Sequence, residues 1–301
     1  MKETIAAIGF FDGMHLGHLS LLEKLKNEAA ARKLSPLVFT FNNHPKSVID
    51  PEYIPACITD TQTRKKFFKE LGVDAIFLDF NPQLREISVA DWFKIMHSQY
   101  NVKMLMMGYD TNFGSDGKNF SQEEYKKTGH KFGIEIINAP LIDGISSSKV
   151  RKAISKGKIE EATDMLGRHF SITGRVETGN RIGRQIGFPT ANIIPASGML
   201  LPPDGVYACI VDLPNGERKE AMVNIGTRPT VVKDSRRMIE VNIFDWNGNI
   251  YGNEIRVNFI HRLRDETRFD SLSELQQQLI RDRELTREAL SCACDTQKSL
   301  Q

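Results

Sequence analysis

Two histidines with a glycine between them follow the first apolar run of the chain. His15 and His18 are three residues apart, Gly17 lies between them, and the stretch Ile5–Ile8 has the composition of a buried strand. Apolar residues recur at helical spacing over 18–33, so the pattern predicts a turn that joins a strand to a helix. At such a turn the backbone can approach a phosphate closely, and the helix N-terminus favours negative charge. Two imidazoles there suit a phosphate whose negative charge grows in a transition state.

A second segment of the first half could bind a polyphosphate. It contains three consecutive serines and places the Ser147 hydroxyl four residues before the Arg151 guanidinium, at the start of a predicted helix. Side chains with that spacing lie on one helix face, where N-terminal amides and a guanidinium can hold a triphosphate. A serine-rich N-cap followed by a solvated basic turn accounts for the same residues, so the segment alone leaves both interpretations open.

In the second half, glycine, proline and small polar residues are concentrated in Gly183–Asn192, which reads GRQIGFPTAN. Its glycines and proline predict an irregular loop. Thr190 and Asn192 present small oxygen ligands from alternate positions of an extended segment, a donor type that suits Mg²⁺. A turn that only leads into a strand is the competing interpretation.

A glutamate on a predicted strand could act as a base. Ile239, Val241 and Ile243 alternate onto one face, which we expect to line the interior of a barrel, so Glu240 lies on the opposite face among polar neighbours. A carboxylate on a rigid strand is well placed to accept a proton from a substrate hydroxyl. A glutamate that merely faces solvent is the alternative.

The elements of the first half alternate between strand and helix, which predicts a doubly wound α/β domain with a parallel sheet and helices on both faces. Ligands bind beyond the carboxyl ends of such strands, where the histidines lie. Further strands are predicted at Leu37–Phe41, Ala75–Leu78, Met104–Met107 and Ile134–Ile137, and helices at Thr61–Glu70, Val89–Gln99 and Gln122–Phe132.

The second half predicts a small antiparallel β-barrel or sandwich, followed by a C-terminal helix that covers it. We place the domain boundary between 168 and 169, giving domains 1–168 and 169–301. Asn215-Gly216 and Asn247-Gly248 are hairpin signals. The last helix is expected to present Leu272, Leu275 and Leu279 on one face. Strands are predicted at Gly205–Leu213, Glu217–Ile225, Met238–Trp246 and Ile255–Ile260.

The composition is that of an ordinary globular protein of two domains. The chain has 301 residues, of which 40% are hydrophobic and 26% charged, and a net charge of +2 gives no reason to expect nucleic acid or an anionic membrane as partner. Four unevenly spaced cysteines predict neither a disulfide framework nor a zinc site. With no secretion signal or transmembrane run, we expect a cytoplasmic protein. The basic clusters Arg64–Lys66 and Lys126–Lys127 are predicted to be solvated helix faces.

The segment Gly9–His18 resembles the Phe-Asp-Gly-x-His-x-Gly-His signature of nucleotidylyltransferases, in the form found in the adenylyltransferase half of bacterial FAD synthetases. Phe41–Pro45, Gly108–Gly114 and Ile145–Arg151 resemble further elements of that half. The resemblance implies that His15 and His18 act at the reacting phosphates, with Ser147 and Arg151 at the β- and γ-phosphates. It also implies nucleotide or flavin contacts at Gly9, Phe11, Asp12, Gly17, His44, Asp110 and Ser148.

Two positions depart from the pattern of that half. Asn43 stands where proline is common, and the arginine that usually follows Gly114 is absent from 115–119. A protein whose first half binds nucleotide but transfers weakly or not at all therefore remains an alternative.

Gly183–Asn192 resembles the Gly-Phe-Pro-Thr-Ala-Asn signature of riboflavin kinase. The resemblance implies that Thr190 and Asn192 hold the Mg²⁺-nucleotide and that Glu240 is the catalytic base. Arg262–Phe269 resembles a segment of that family near the flavin and the phosphates. It therefore implies ligand contacts at Gly187, Pro189, Arg264 and Phe269. Asn242 stands where that family often has histidine.

The two resemblances together imply a bifunctional flavin-cofactor enzyme that works with Mg²⁺. Riboflavin and ATP would give FMN and ADP in the second domain, and FMN and ATP would give FAD and pyrophosphate in the first. The expected partners are these small molecules, with no nucleic acid or membrane, and the expected state is a monomer or weak homo-oligomer. The alternative that is not an enzyme is a flavin-binding module, which would keep these loops but catalyse no reaction.

Overall fold

The structure is a computed structural model and describes residues 2–50, 52, 54–108, 111–139, 142–177, 183, 186–227 and 237–298, with side chains as far as 292. The chain divides into two compact units, Met1–Ser147 and Ser148–Gln301. The predicted contact residue Asp110 lies outside the described residues.

The first unit is a five-stranded parallel sheet in the order β3-β2-β1-β4-β5. This is the strand order of a dinucleotide-binding doubly wound fold, and it confirms the predicted α/β class. The strands are β1 (Thr4–Ile8), β2 (Ser35–Phe41), β3 (Asp74–Leu78), β4 (Val102–Met107) and β5 (Glu135–Asn138). The helices are α1 (Leu16–Arg32), α2 (Lys46–Ile49), α3 (Thr61–Glu70), α4 (Pro82–Arg85), α5 (Val89–Tyr100) and α6 (Gln122–Lys131), with a short 3₁₀ helix at Gly117–Asn119.

Alternate residues of the central strands are buried in two separate apolar cores. Ile5 and Ala7 of β1 belong to the core that contains Leu22 and Leu25 of α1 and Phe68 of α3. The neighbouring residues on the same strand belong to the other core, beneath α5 and α6. Because strand side chains alternate between faces, both faces of the sheet are covered, and β1 ends inside a rigid layer.

The second unit begins with α7 (Ser147–Ser155) and α8 (Ile159–Leu166), although Ser147 itself is assigned to the first unit. It then forms a closed barrel in the order β10-β7-β6-β11-β8-β9. The strands are β6 (Phe170–Glu177), β7 (Ala191–Pro195), β8 (Gly205–Asp212), β9 (Arg218–Thr227), β10 (Arg237–Ile243) and β11 (Glu254–Arg264).

The barrel confirms one predicted hairpin and corrects the other. Gly216, with φ of 85°, lies between β8 and β9, which pair as predicted. Asn247-Gly248 does not form a hairpin, because β10 already pairs with β7 and β9, and β11 pairs with β6 and β8. The chain therefore crosses the barrel between β10 and β11. The predicted third strand is also shorter than expected, since β10 ends at Ile243 and Asp245 adopts a φ of 50°.

A long C-terminal helix, α9 (Leu272–Lys298), packs on β8, β9 and β11 as expected. One predicted contact is wrong, because Leu272 is 54% exposed at the first turn of the helix. A buried ion pair holds the helix to the barrel. Arg264 at the end of β11 donates to both carboxylate oxygens of Asp282, which is fully buried, at 2.7–3.1 Å. Removing one partner of such a pair leaves a buried charge uncompensated, so the pair strongly favours this helix position.

One buried tyrosine of the first unit fixes the loop that follows β4. The Tyr125 hydroxyl donates to the Phe113 carbonyl at 2.8 Å and accepts from the Phe113 amide at 3.1 Å. Burial raises the pKa of this phenol. Tyr125→Phe leaves both backbone groups unsatisfied and should lower the free energy of unfolding by about 1–3 kcal/mol.

Urea unfolding checks this, with Tyr100→Phe as the matched control, since the Tyr100 hydroxyl makes no hydrogen bond in the part of the chain that the structure describes. We expect the control to change stability by less than about 0.5 kcal/mol. Equal effects of the two substitutions would contradict the assignment.

Candidate active sites

The turn after β1 brings the two predicted histidines together at the N-terminus of α1. His15 is the N-cap residue, and its Nδ1 accepts from the His18 amide at 3.3 Å. The two imidazoles stack with their centroids 3.7 Å apart. Because Nδ1 of His15 is an acceptor, the proton of the neutral ring lies on Nε2, which can then donate to a phosphate oxygen.

The backbone of this turn is strained. Phe11 and Met14 have φ of 54° and 41°, in the left-handed region that side chains other than glycine rarely adopt, and Gly13 between them has φ of 81°. Conformations of this kind persist only where the surroundings enforce them, and they cluster at functional sites.

Hydrogen bonds to Asp12 help to hold this strained backbone in place. Its carboxylate is 2% exposed and accepts from the Ile58 and Thr59 amides at 2.9–3.1 Å. The Thr59 hydroxyl accepts from the Gly13 amide at 2.9 Å, and the Ser147 hydroxyl donates to the Asp12 carbonyl at 3.0 Å. Two distant segments therefore hold the turn, and the contact of Ser147 with a phosphate stays a prediction.

The other predicted contacts of the turn lie around this clamp. The Gly9 amide donates to the Phe39 carbonyl of β2 at 3.0 Å. Phe11 is 3% exposed and packs on the rings of Phe68 and His18, so in this structure it supports His18 from the core. A direct ligand contact of Gly9 or Phe11 stays a prediction.

Gly17 makes room for the His15 ring. A Cβ atom at Gly17 would lie 3.2 Å from two atoms of that imidazole, closer than ordinary van der Waals contact. Glycine is otherwise unfavourable inside a helix, so its position at the second residue of α1 has a steric reason.

Arg64 is not solvated, which corrects the prediction for the first basic cluster. It is 1% exposed, and it donates to the Phe10 carbonyl at 2.9 Å and to the Thr40 hydroxyl at 3.3 Å. Its guanidinium lies 4.4 Å from the centroid of the Phe10 ring, and that ring packs edge-on against His44. Burial lowers the pKa of Arg64, with Asp12 the largest opposing charge.

Arg64 thus joins the ends of β1 and β2 beneath the histidine turn, and the sequence analysis missed it. The signal was present, since Arg64 lies four residues before the buried Phe68 on the same face of α3. His44 is held locally, because its Nδ1 accepts from the Lys46 amide at 3.1 Å.

The remaining first-half residues lie on α7. Ser148 and Arg151 are on this helix, with Arg151 four residues after Ser147, so the predicted spacing falls on a helix as expected. Their contacts with a nucleotide stay predictions.

The barrel carries a cavity of about 400 Å³ on its outer face, between the strands and α9. Glu240 lines it, together with Thr190 and Asn192 from the signature loop and Arg264 and Phe269 from the segment after β11. Further polar side chains also line the cavity: Asn224, Asn242, Glu266 and Thr267. The apolar part of its lining consists of Ile186, Phe188, Val206, Met222, Leu275 and Leu279. Pockets of this kind, mostly apolar with a few convergent polar groups, are typical of small-molecule sites.

Strand register explains the position of Glu240. Ile239 and Val241 are at most 1% exposed and face the barrel interior, as predicted, so Glu240 faces outward. It lies directly opposite Asn192 on β7 and Asn224 on β9. The base candidate therefore stands in a row of polar side chains that line the cavity.

Asn192 of this row has a side-chain oxygen that is buried in the structure. It is 4% exposed, and its Oδ1 is buried without a hydrogen bond among the described residues. A buried oxygen that makes no hydrogen bond is costly unless a ligand or ion satisfies it.

The loop before β7 is fixed at both ends. The Phe188 amide donates to the Gly183 carbonyl at 2.7 Å, and Gln276 of α9 donates to the Ile186 carbonyl at 3.1 Å. The side-chain Nδ2 of Asn242 donates to the Pro189 carbonyl at 2.7 Å. Gly187 has φ of 81°, a conformation that glycine adopts without strain.

A second cavity of about 390 Å³ lies on the other side of this loop. Thr190 lines both cavities, whereas Glu240 lines only the first. The second cavity has aromatic walls, Trp246 and Tyr251, and the polar loop Asn247-Gly248.

Arg264 already has a partner. Its bidentate contact with Asp282 uses Nε and Nη2, and Nη1 donates to the Asp265 carbonyl at 2.9 Å. The guanidinium also lies 5.9 Å from the centroid of the Phe269 ring. Both residues line the cavity, and their direct contact with a ligand stays a prediction.

Family models match both units in the order of the two sites. The FAD synthetase model matches 1–152, and the riboflavin kinase model matches 166–290. The bifunctional riboflavin kinase/FMN adenylyltransferase of Escherichia coli K12 is 35% identical over 291 residues, which cover 94% of this chain and 92% of that protein. The chain belongs to this bifunctional family.

Other relatives agree. The bifunctional riboflavin kinase/FMN adenylyltransferase of Bacillus subtilis is 32% identical over 288 residues, covering 94% of this chain and 91% of that protein. A crystal structure from Streptococcus pneumoniae, titled a macrolide-efflux protein, has a TM-score of 0.85 and 34% identity, and covers 95% of this chain and 94% of that chain. The efflux activity in that title is that protein's own. Within the described ranges of this chain, no helix has both the length and the hydropathy needed to span a bilayer.

As a bifunctional riboflavin kinase/FMN adenylyltransferase, the protein phosphorylates riboflavin to FMN and adenylylates FMN to FAD, as the sequence predicted. The expected substrates riboflavin, FMN and ATP fit this family.

Gly17→Ala tests the role of the glycine in the histidine turn. Alanine favours a helix, so we expect unchanged or slightly raised thermal stability, while the displaced His15 ring should lower FMN adenylylation at least about tenfold. Riboflavin phosphorylation by the same preparation should not change.

Ser20→Ala, three residues further along α1, serves as the control and should leave both activities intact. If Gly17→Ala retains full adenylylation, the steric argument is wrong.

Proposed function

We propose that the kinase reaction takes place where the two barrel cavities meet at Thr190. Glu240 lines only the first cavity, so the hydroxyl that it deprotonates must be bound there. The apolar walls of that cavity suit the flavin ring, with the ribityl chain directed towards Glu240. The nucleoside of ATP then occupies the second cavity, where Trp246 and Tyr251 offer aromatic faces.

The chemical step needs one base and a held triphosphate. Glu240 accepts the proton of the ribityl hydroxyl as its oxygen attacks the γ-phosphorus of ATP, and the bond to ADP breaks. Such transfers depend mainly on positioning and charge neutralisation, which the strand and the fixed loop provide.

We propose Thr190 and Asn192 as the residues that hold Mg²⁺ with the nucleotide. The observation that supports the fit is the buried Asn192 Oδ1, which makes no hydrogen bond among the described residues. Small oxygen donors are the ligands that Mg²⁺ prefers, and the ion would offset phosphate charge when bound.

For adenylyl transfer we propose that His15 and His18 act at the reacting phosphates. An FMN phosphate oxygen attacks the α-phosphorus of ATP and pyrophosphate leaves, so no covalent enzyme intermediate is required. The N-cap contact assigns the proton of a neutral His15 ring to Nε2, the atom that we propose to donate to a phosphate oxygen. Ser147 and Arg151 are proposed to bind the β- and γ-phosphates.

The boundary at 168/169 and the monomeric or weakly oligomeric state remain proposals. We also keep the cytoplasm as the proposed compartment.

Separate loss of the two activities is the test of these roles. Glu240→Gln removes the base but keeps the shape, so riboflavin phosphorylation should fall about 10²–10⁴-fold while adenylylation of supplied FMN persists. His18→Ala should do the reverse, with adenylylation lowered about 10²–10³-fold.

A chromatographic assay of FMN, FAD, ADP and pyrophosphate measures both reactions. Glu254→Gln and His130→Ala, which are exposed, are the matched controls. A chain that makes FMN but no FAD even before substitution would favour the alternative of a kinase with an inactive first half. Loss of both activities in one folded variant would contradict the assignment of sites.

A further inference from the structure

Asn242 occupies the position where the signature loop meets the strand of the candidate base. It is 6% exposed, lines the first cavity and follows Glu240 by two residues, so both side chains lie on the same face of β10. Its Nδ2 donates to the Pro189 carbonyl at 2.7 Å. The residue after that carbonyl is Thr190.

The hydrogen bond begins where backbone pairing stops. The ladder between β7 and β10 ends with the pair Val241 and Ala191, and β7 itself begins at Ala191. In the same register Asn242 would stand opposite Thr190. The Asn242 side chain therefore continues the link between the two segments beyond the last backbone pair, while the Asn242 backbone still pairs with Met222 on β9.

The chemistry of the loop explains why a side chain is needed. Pro189 has no N–H, so the backbone at that position offers only its carbonyl as a hydrogen-bonding group. A neutral amide donates to it without a charge that would have to be desolvated. Because an amide does not titrate near neutral pH, the link is independent of pH in the working range.

We propose that Asn242 is a positioning residue of the kinase site, which holds the Pro189–Thr190 corner against β10 and so fixes Thr190 relative to Glu240. The inference rests on the proposed kinase roles of those two residues. Misplacing a triphosphate ligand by about 1 Å can lower the rate of transfer about a hundredfold. Loss of the one hydrogen bond that fixes this corner is therefore expected to lower the kinase rate.

The test compares two buried asparagines of the same barrel. Asn258 on β11 is 8% exposed, donates to the Ile210 carbonyl at 3.0 Å and to the Asp212 carboxylate at 3.1 Å, and lines neither cavity. Asn242→Ala and Asn258→Ala each remove one buried amide that bonds a backbone carbonyl. Thermal unfolding, kcat and KM for Mg²⁺-ATP and for riboflavin are measured for both, with FMN adenylylation as the internal reference.

We expect Asn258→Ala to lose at least as much thermal stability as Asn242→Ala, but a fall in kinase kcat of at least about tenfold only in Asn242→Ala. Asn242→His should recover most of that loss, because an imidazole N–H can donate to the same carbonyl. The pH–rate profile of Asn242→Ala should keep the wild-type shape, since the native residue holds the loop and transfers no proton.

Equal kinase rates in Asn242→Ala and Asn258→Ala would overturn the proposal, because the hydrogen bond would then be only structural. A pH–rate profile of changed shape in Asn242→Ala would also overturn it, since the native residue would then act on the proton. Glu240→Gln separates this from the proposed function: if it keeps kinase activity, the base assignment fails whatever the Asn242 variants do.

Discussion

Phosphoryl and adenylyl transfer require several phosphate oxygens to be held still while their charge is offset, and this constraint shapes both units. In each unit, hydrogen bonds from other parts of the chain fix one irregular turn. In the first, Ile58–Thr59 and Ser147 are two distant segments that hydrogen-bond to Asp12 of the histidine turn. In the second, Gln276 and Asn242 hold the signature loop by its carbonyls. In the second unit the side chains that fix the turn are distinct from those expected to act on the substrate, whereas in the first unit Ser147 is expected to do both.

Each unit also contains a buried or largely buried arginine that supports its site. Arg64 lies under the histidine turn and bonds the ends of β1 and β2 through neutral oxygens. Arg264 pairs with Asp282 and so keeps α9 against the barrel, where Leu275 and Leu279 line the first cavity. Burying a guanidinium is unfavourable by itself, so both arginines tie the stability of the fold to the geometry of a site.

Much of this could be predicted from the sequence because periodicity and glycine-rich signatures are local signals. Helix α3 has the predicted bounds Thr61–Glu70, and the alternation of Ile239 and Val241 correctly placed Glu240 outside the barrel. Strand partners are not local, which is why Asn247-Gly248 suggested a hairpin that the closed barrel forbids.

The same reason explains the missed side-chain roles. Arg64 looked solvated because its neighbours Lys65 and Lys66 are basic, and only the packing of α3 on the sheet buries it. The link from Asn242 to Pro189 joins residues 53 positions apart, so no spacing rule could reveal it. Phe11 and Asp12 carry motif identities that suggest ligand contact, yet the structure shows both engaged in holding the turn.

One chain is proposed to carry two independent triphosphate sites, one at the histidine turn and the other on the barrel. Calorimetric titration with a Mg²⁺-bound, non-hydrolysable ATP analogue measures this directly on the full chain. We predict two binding events per chain, one weakened by changing the histidine turn and the other by changing Thr190. A single binding event, or two events that a change in one unit abolishes together, would contradict the account.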